Sequence, residues 1–122
     1  MTASDHALDS LAIAARAADA KGGDDLVALD VSGPLPFADV FLLVTGTSER
    51  NVIAIADEIE DVLRDAGSKT LRREGHSTGR WILLDFGDLV VHVFHPEDRM
   101  YYGLERLWLD CPAVPLEPLL AG

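Results

Sequence analysis

The sequence predicts a mixed α/β fold, an α+β mixed sheet flanked by helices. Three observations lead there. Residues 40–44 form an unbroken apolar run, the pattern of a central strand covered on both faces. Residues 81–86 and 89–94 are two strand-like segments joined by Gly87 and Asp88, a pair suited to a two-residue hairpin turn. The remaining periodicities then give the order helix, two strands, helix, three strands, helix. A chain of 122 residues, 48% apolar and 25% charged, suits one hydrophobic core and is not a disordered composition.

The first helix is expected over residues 4–20, where Leu8, Leu11, Ala12, Ala15 and Ala18 recur as one narrow stripe before Gly22 and Gly23. A strand over residues 26–31 is closed by Ser32, Gly33, Pro34 and Pro36, and a second runs over residues 39–45. Ser48 then stands as the N-cap of the clearest helix. Val52, Ile55, Ala56, Ile59 and Leu63 face its core, Asp57, Glu58, Asp61 and Asp65 its solvent side, and Gly67 ends it. Residues 69–74 read as a modest strand, followed by a polar loop over residues 75–79.

In the hairpin, the turn fixes the register. Phe86 is expected opposite Leu89, Leu84 opposite Val91, and Ile82 opposite Val93, an all-apolar face that belongs in the core. The other face pairs Asp85 with Val90, Leu83 with His92, and Trp81 with Phe94, mixing aromatics with a carboxylate and an imidazole. Pro96 opens a last helix, with Glu97 and Asp98 near its positive end. Met100, Leu104 and Leu107 form its stripe, and Tyr101, Tyr102, Glu105 and Trp108 lie around it. The expected organisation is a single domain over residues 1–110 and an extended tail over residues 111–122, with Pro112, Pro115 and Pro118.

Ten Lys and Arg against twenty-one Asp and Glu give a formal charge of −11. That field repels phosphate backbones and disfavours nucleic-acid binding through a broad surface; it favours encounter with a basic partner. A lone cysteine, Cys111, makes no internal disulfide. No apolar run suggests a membrane span, and the first twenty residues lack a basic-then-apolar secretory signal. A cytoplasmic protein is expected.

Catalysis finds little support. Thr45, Gly46, Thr47 and Ser48 join a strand to a helix start, where backbone amides could hold an anion as in nucleotidyltransferases. Metal-assisted phosphoryl transfer needs paired carboxylates on one strand face, whereas Asp85 and Asp88 are three apart across a turn. Helix capping accounts for Ser48 more simply. His92, His95 and Cys111 do not cluster as metal ligands. No catalytic residue, cofactor or metal is expected.

The remaining class is binding. Interfaces are enriched in aromatics with polar groups around them, and the mixed hairpin face fits, with Trp81 as anchor. The pattern alone leaves a second reading open, in which a helix of the same chain covers that face and makes Trp81 and Phe94 core.

TGTS at residues 45–48, then ADEIE, then LLDFGDLVVHVF, then YYGLERLW, in that order, resemble the Iojap-like ribosome silencing factors over residues 8–110. Small departures fall at Val40, Leu42 and Gly103, and the proline-rich end is expected outside the likeness. The resemblance implies a nucleotidyltransferase-like fold without the catalytic acids, a homodimer in the free state, and a non-enzymatic role. It implies docking on protein fourteen of the large ribosomal subunit, a hindrance to subunit joining, and lowered translation when nutrients are short. The runner-up reading is a nucleotide-binding, nucleotidyltransferase-like enzyme using the turn at residues 45–48, and a third is a factor that assists large-subunit assembly from the same docking site. Ribosomal proteins are generally basic, which suits the acidic chain. Trp81 matches the family's tryptophan. Leu83, Asp85, His92 and Phe94 are assigned to the interface from strand pairing, and Tyr101, Tyr102 and Glu105 join them.

Overall fold

The computed structural model describes residues 3–103, 106 and 110–121, without the side chains of Tyr101, Tyr102 and Ala121. Helix α1 spans Asp5–Ala20 and begins where the Ser4 hydroxyl accepts the Ala7 N–H. Strand β1, Asp24–Asp30, leads to β2, Val40–Thr45, and α2 spans Glu49–Asp65. A three-residue β3, Arg72–Glu74, precedes β4, Trp81–Asp85, and β5, Leu89–Phe94. Helix α3, Pro96–Tyr102, and a short α4, Glu117–Ala121, complete the described elements.

The sheet order is β1-β2-β5-β4-β3. Strands β2 and β5 run parallel, and the other neighbours are antiparallel. Placing β2 and β5 side by side needs a crossover, which α2 supplies. Strand β2 is buried at every position, as the unbroken apolar run predicts. The hairpin register is the expected one, from Trp81 opposite Phe94 to Asp85 opposite Val90.

One core lies between the sheet and α1 with α2. It gathers Leu11, Ile55, Ile59 and Leu63 from the helices against Leu42, Val44, Ile82, Leu84, Val91 and Val93. Gly46 at the end of β2 lets α2 approach, since a Cβ there would fall 2.7 Å from Val52 Cγ2 and 2.9 Å from its backbone nitrogen. The stripe on α1 is wider than expected, because Ala7, Ala14 and Ala17 are buried as well. Helix α1 touches α2, the sheet and α4, and alanine spacing alone does not announce three neighbours.

Three other expectations shift. Strand β1 starts at Asp24, with a register irregularity before Val27 where Asp25 takes φ 49°. Helix α3 stops at Tyr102, because Gly103 adopts the left-handed conformation (φ 52°) that ends helices; Leu104, Leu107 and Trp108 lie outside the described residues. The proline-rich end is anchored rather than simply extended. Ala113 bridges Leu29, the Asp30 N–H donates to the Pro112 carbonyl, and the Val114 N–H donates to the Ala28 carbonyl, each at 2.8 Å. These bonds satisfy part of the edge that β1 would otherwise expose. Val114, Leu116 and Leu119 then pack against the core.

Candidate docking surface

Strand alternation divides the hairpin. Trp81, Leu83 and Asp85 share the face of Val90, His92 and Phe94, opposite the helices. Phe41 and Leu43 from β2 and Leu29 from β1 join them. Among the described residues the apolar cluster on this face takes none from a helix; it gathers Val31, Leu35 and Ala38 from the segment after β1 and Cys111 from the C-terminal segment. Phe94 and His92 are buried, as core residues are, whereas Trp81, Leu83, Asp85 and Val90 stay half-exposed.

The buried and exposed parts are linked through one polar contact. The Trp81 indole N–H donates to His92 Nδ1 at 3.2 Å. An indole nitrogen only donates, so Nδ1 carries no proton and the neutral ring holds it on Nε2. That Nε2 is buried and has no hydrogen-bond partner among the described residues. Burial pushes the His92 pKa down to about 4, which keeps the ring neutral at ordinary pH. Phe41 meets the imidazole edge-on at 5.0 Å, and Trp81 lies 5.0 Å from Phe94. A buried donor left unpaired costs about 1–3 kcal/mol.

Leu71 is 69% exposed and bonds its N–H to the Asp85 carbonyl at 2.7 Å, while Phe37 is 85% exposed in the segment between β1 and β2. Glu74, Gly75, Trp81 and Leu83 line a hollow of about 320 Å³. Phe41, Leu71 and Phe37 were not singled out from the sequence. Nothing in an all-apolar strand tells which face Phe41 takes until its parallel partner is known. Loop residues 37 and 71 have no periodicity to read. Of the assigned residues, the hairpin brings together Trp81, Leu83, Asp85, His92 and Phe94. Tyr101 and Tyr102 sit in α3, but their side chains, and all of Glu105, lie outside the described residues.

Two amides at the nucleotidyltransferase-like turn are taken up by side chains of the turn itself. Ser48 Oγ accepts the Asn51 N–H at 3.1 Å, and Asn51 Oδ1 accepts the Thr47 N–H at 2.8 Å. Asp85 and Asp88 lie at the other end of the sheet. Thr45 pairs with Phe94, which pairs in turn with Trp81, whereas Asp85 pairs with Val90, which stands opposite Phe41. Four residues along a strand is roughly 13 Å. Asp85 accepts the Gly87 N–H at 2.8 Å, and Asp88 lies 2.6 Å from His6 Nδ1. The hydrogen bond to Asp88, then its charge, raises the His6 pKa. His95 accepts the Glu97 N–H and caps α3, so its ring serves the helix and not a site with His92.

Among the described residues no group of three or more His, Cys, Asp or Glu is arranged to hold a metal ion. No helix among them is long and apolar enough to cross a membrane.

A sequence profile for the family described as ribosomal silencing factor during starvation matches residues 4–121, through the anchored C-terminal segment. A ribosomal silencing factor from Bacillus subtilis is 47% identical over 107 residues, covering 88% of this chain and 91% of that protein. One from Halalkalibacterium halodurans is 45% identical over 111 residues, covering 91% and 95%. A crystal structure of a Chromobacterium violaceum protein superposes with a TM-score of 0.82 at 36% identity, covering 84% of this chain and 85% of that one.

Proposed function

Because the chain belongs to the ribosomal silencing factor family, we propose that it docks on the large ribosomal subunit, through protein fourteen of that subunit, and keeps the small subunit from joining. The observation that carries this reading is the family match over residues 4–121. It is supported by a half-exposed aromatic surface centred on Trp81, with Leu83, Asp85 and Val90.

The mechanism needs no chemical step. A factor seated on the joining surface competes with the small subunit by mass action, so its effect depends on concentration relative to its dissociation constant. Burial of Trp81 and its apolar neighbours supplies affinity. The net charge of −11 raises the encounter rate with a basic ribosomal protein and makes that rate fall with salt. Translation then falls when the factor is abundant, as under nutrient limitation. In the free state the chain pairs with a second copy.

Sedimentation with purified large subunits tests the docking. The chain is expected in the large-subunit fraction and absent from the small-subunit fraction; its absence from both would overturn the proposal.

A further inference from the structure

The hollow beside Trp81 has one wall that packing does not hold. Glu74 and Gly75, which line it with Trp81 and Leu83, belong to β3 and the turn after it. Strand β3 is three residues long and exposed throughout, so no buried side chain of its own anchors it. Its ladder to β4 is one support. The other comes from α2. The Thr70 hydroxyl donates to Glu60 Oε2 at 2.8 Å and the Arg73 guanidinium to Glu60 Oε1 at 3.0 Å, while His76 Nε2 lies 2.7 Å from Asp57 Oδ1. Asp57 and Glu60 are three residues apart on the helix and so share a face. Arg73 pairs with the core-facing Leu84, which puts its side chain on the helix side, whereas Glu74 pairs with Leu83 and takes the docking side. The ties at residues 70, 73 and 76 therefore bracket the two wall residues from behind. Gly75 has no slack there: its φ is 77°, and a Cβ would collide with the Trp81 carbonyl oxygen.

We propose that Glu60 and Asp57 are positioning residues of the docking surface: from the helix side of the sheet they hold residues 70–76, so that the hollow beside Trp81 is preformed for an apolar side chain of the ribosomal partner. The inference rests on the docking reading above. Neither carboxylate has to touch the partner, because each acts through the segment it fastens. A wall fixed before contact loses less entropy on binding than one that must be ordered by it. The Glu60 carboxylate is 16% exposed and takes two donors, so it is the stronger tie; Asp57 is half-exposed, takes one, and is the weaker.

The test compares wild type, Glu60→Ala and Asp65→Asn by equilibrium co-sedimentation with purified large subunits, per folded molecule, and by NMR order parameters of the backbone amides in the free chains. Glu60→Ala is expected to bind about fivefold more weakly. It is also expected to lower the order parameters of Glu74 and Gly75 while leaving those of Val91 and Val93 on β5 unchanged. Asp65→Asn removes the same charge from an exposed position on α2 and is expected to bind as wild type does. A Glu60→Ala chain that binds as wild type does overturns the inference while leaving the docking reading intact. So does a loss of affinity shared by Asp65→Asn, which is then an effect of net charge, and so does a loss with unchanged order at Glu74 and Gly75. If wild type itself does not sediment with large subunits, the docking reading fails first, and this inference with it.

Discussion

Trp81 donates its indole N–H to Nδ1 of His92 across 3.2 Å, so a half-exposed aromatic on β4 is oriented by a buried imidazole on β5. The contact makes Trp81 more than a loose surface ring, because its tilt is fixed before any partner arrives. Preorganised aromatic anchors lose little entropy on binding. Trp81→Ala is therefore expected to weaken docking on large subunits by about 2 kcal/mol. The measurement is affinity per folded molecule, with melting followed in parallel. Lower stability with unchanged affinity would place Trp81 in the core alone.

His92 also gives the fold a definite pH dependence. Its pKa falls from 6.5 to about 4 on folding, owing to burial. Between those values the unfolded chain takes up a proton that the native chain refuses, so stability falls as pH drops from 6.5 towards 4. The loss is on the order of 3 kcal/mol by pH 4. Denaturant unfolding of wild type and His92→Leu at pH 7 and pH 4.5 checks it. The variant is expected to lack this component, and equal acid sensitivity in the two proteins would contradict it.

His6 carries the opposite sign. The hydrogen bond to Asp88 and then its charge raise the His6 pKa, so the tie between α1 and the hairpin turn is fully present below 6.5 and fades as pH rises through the higher folded value. Titration of the His6 ring by NMR should give a pKa above 6.5 that drops in Asp88→Asn.

The turn between β2 and α2 separates a structural role from a nucleotide site. Ser48→Ala is expected to cost about 1 kcal/mol of stability through loss of the cap. Magnesium with nucleoside triphosphates is expected to leave the wild-type melting temperature unchanged, since Thr47 and Asn51 already spend their amide donors within the turn. A specific upward shift would revive an enzymatic role.

Gly46→Ala would push a methyl into Val52, against both its side chain and its backbone nitrogen. A loss of about 1–3 kcal/mol is expected in denaturant unfolding, because backbone cannot move aside as a side chain can.

Much of this architecture was legible because it depends on short-range rules. The Gly87-Asp88 turn set the pairing of Trp81 with Phe94 and of Ile82 with Val93, and alternation did the rest. The apolar run through Leu42 marked β2 as central. What escaped depends on distant parts of the chain. Ala113 meeting Leu29 is an edge-pairing event with no local signature. Phe94, buried beside a half-exposed Trp81, shares a cluster with Val31, Leu35 and Ala38, which are far away in sequence. Resemblance located the family, but it did not reveal that His92 lies beneath the surface, bonded to Trp81.

Subunit joining, followed by light scattering as purified small and large subunits are mixed, tests the proposed block to joining most directly. Preincubating large subunits with saturating wild-type chain is expected to lower the extent of joining, with Trp81→Ala requiring a higher concentration for the same effect. Full joining at saturating wild-type protein would contradict it.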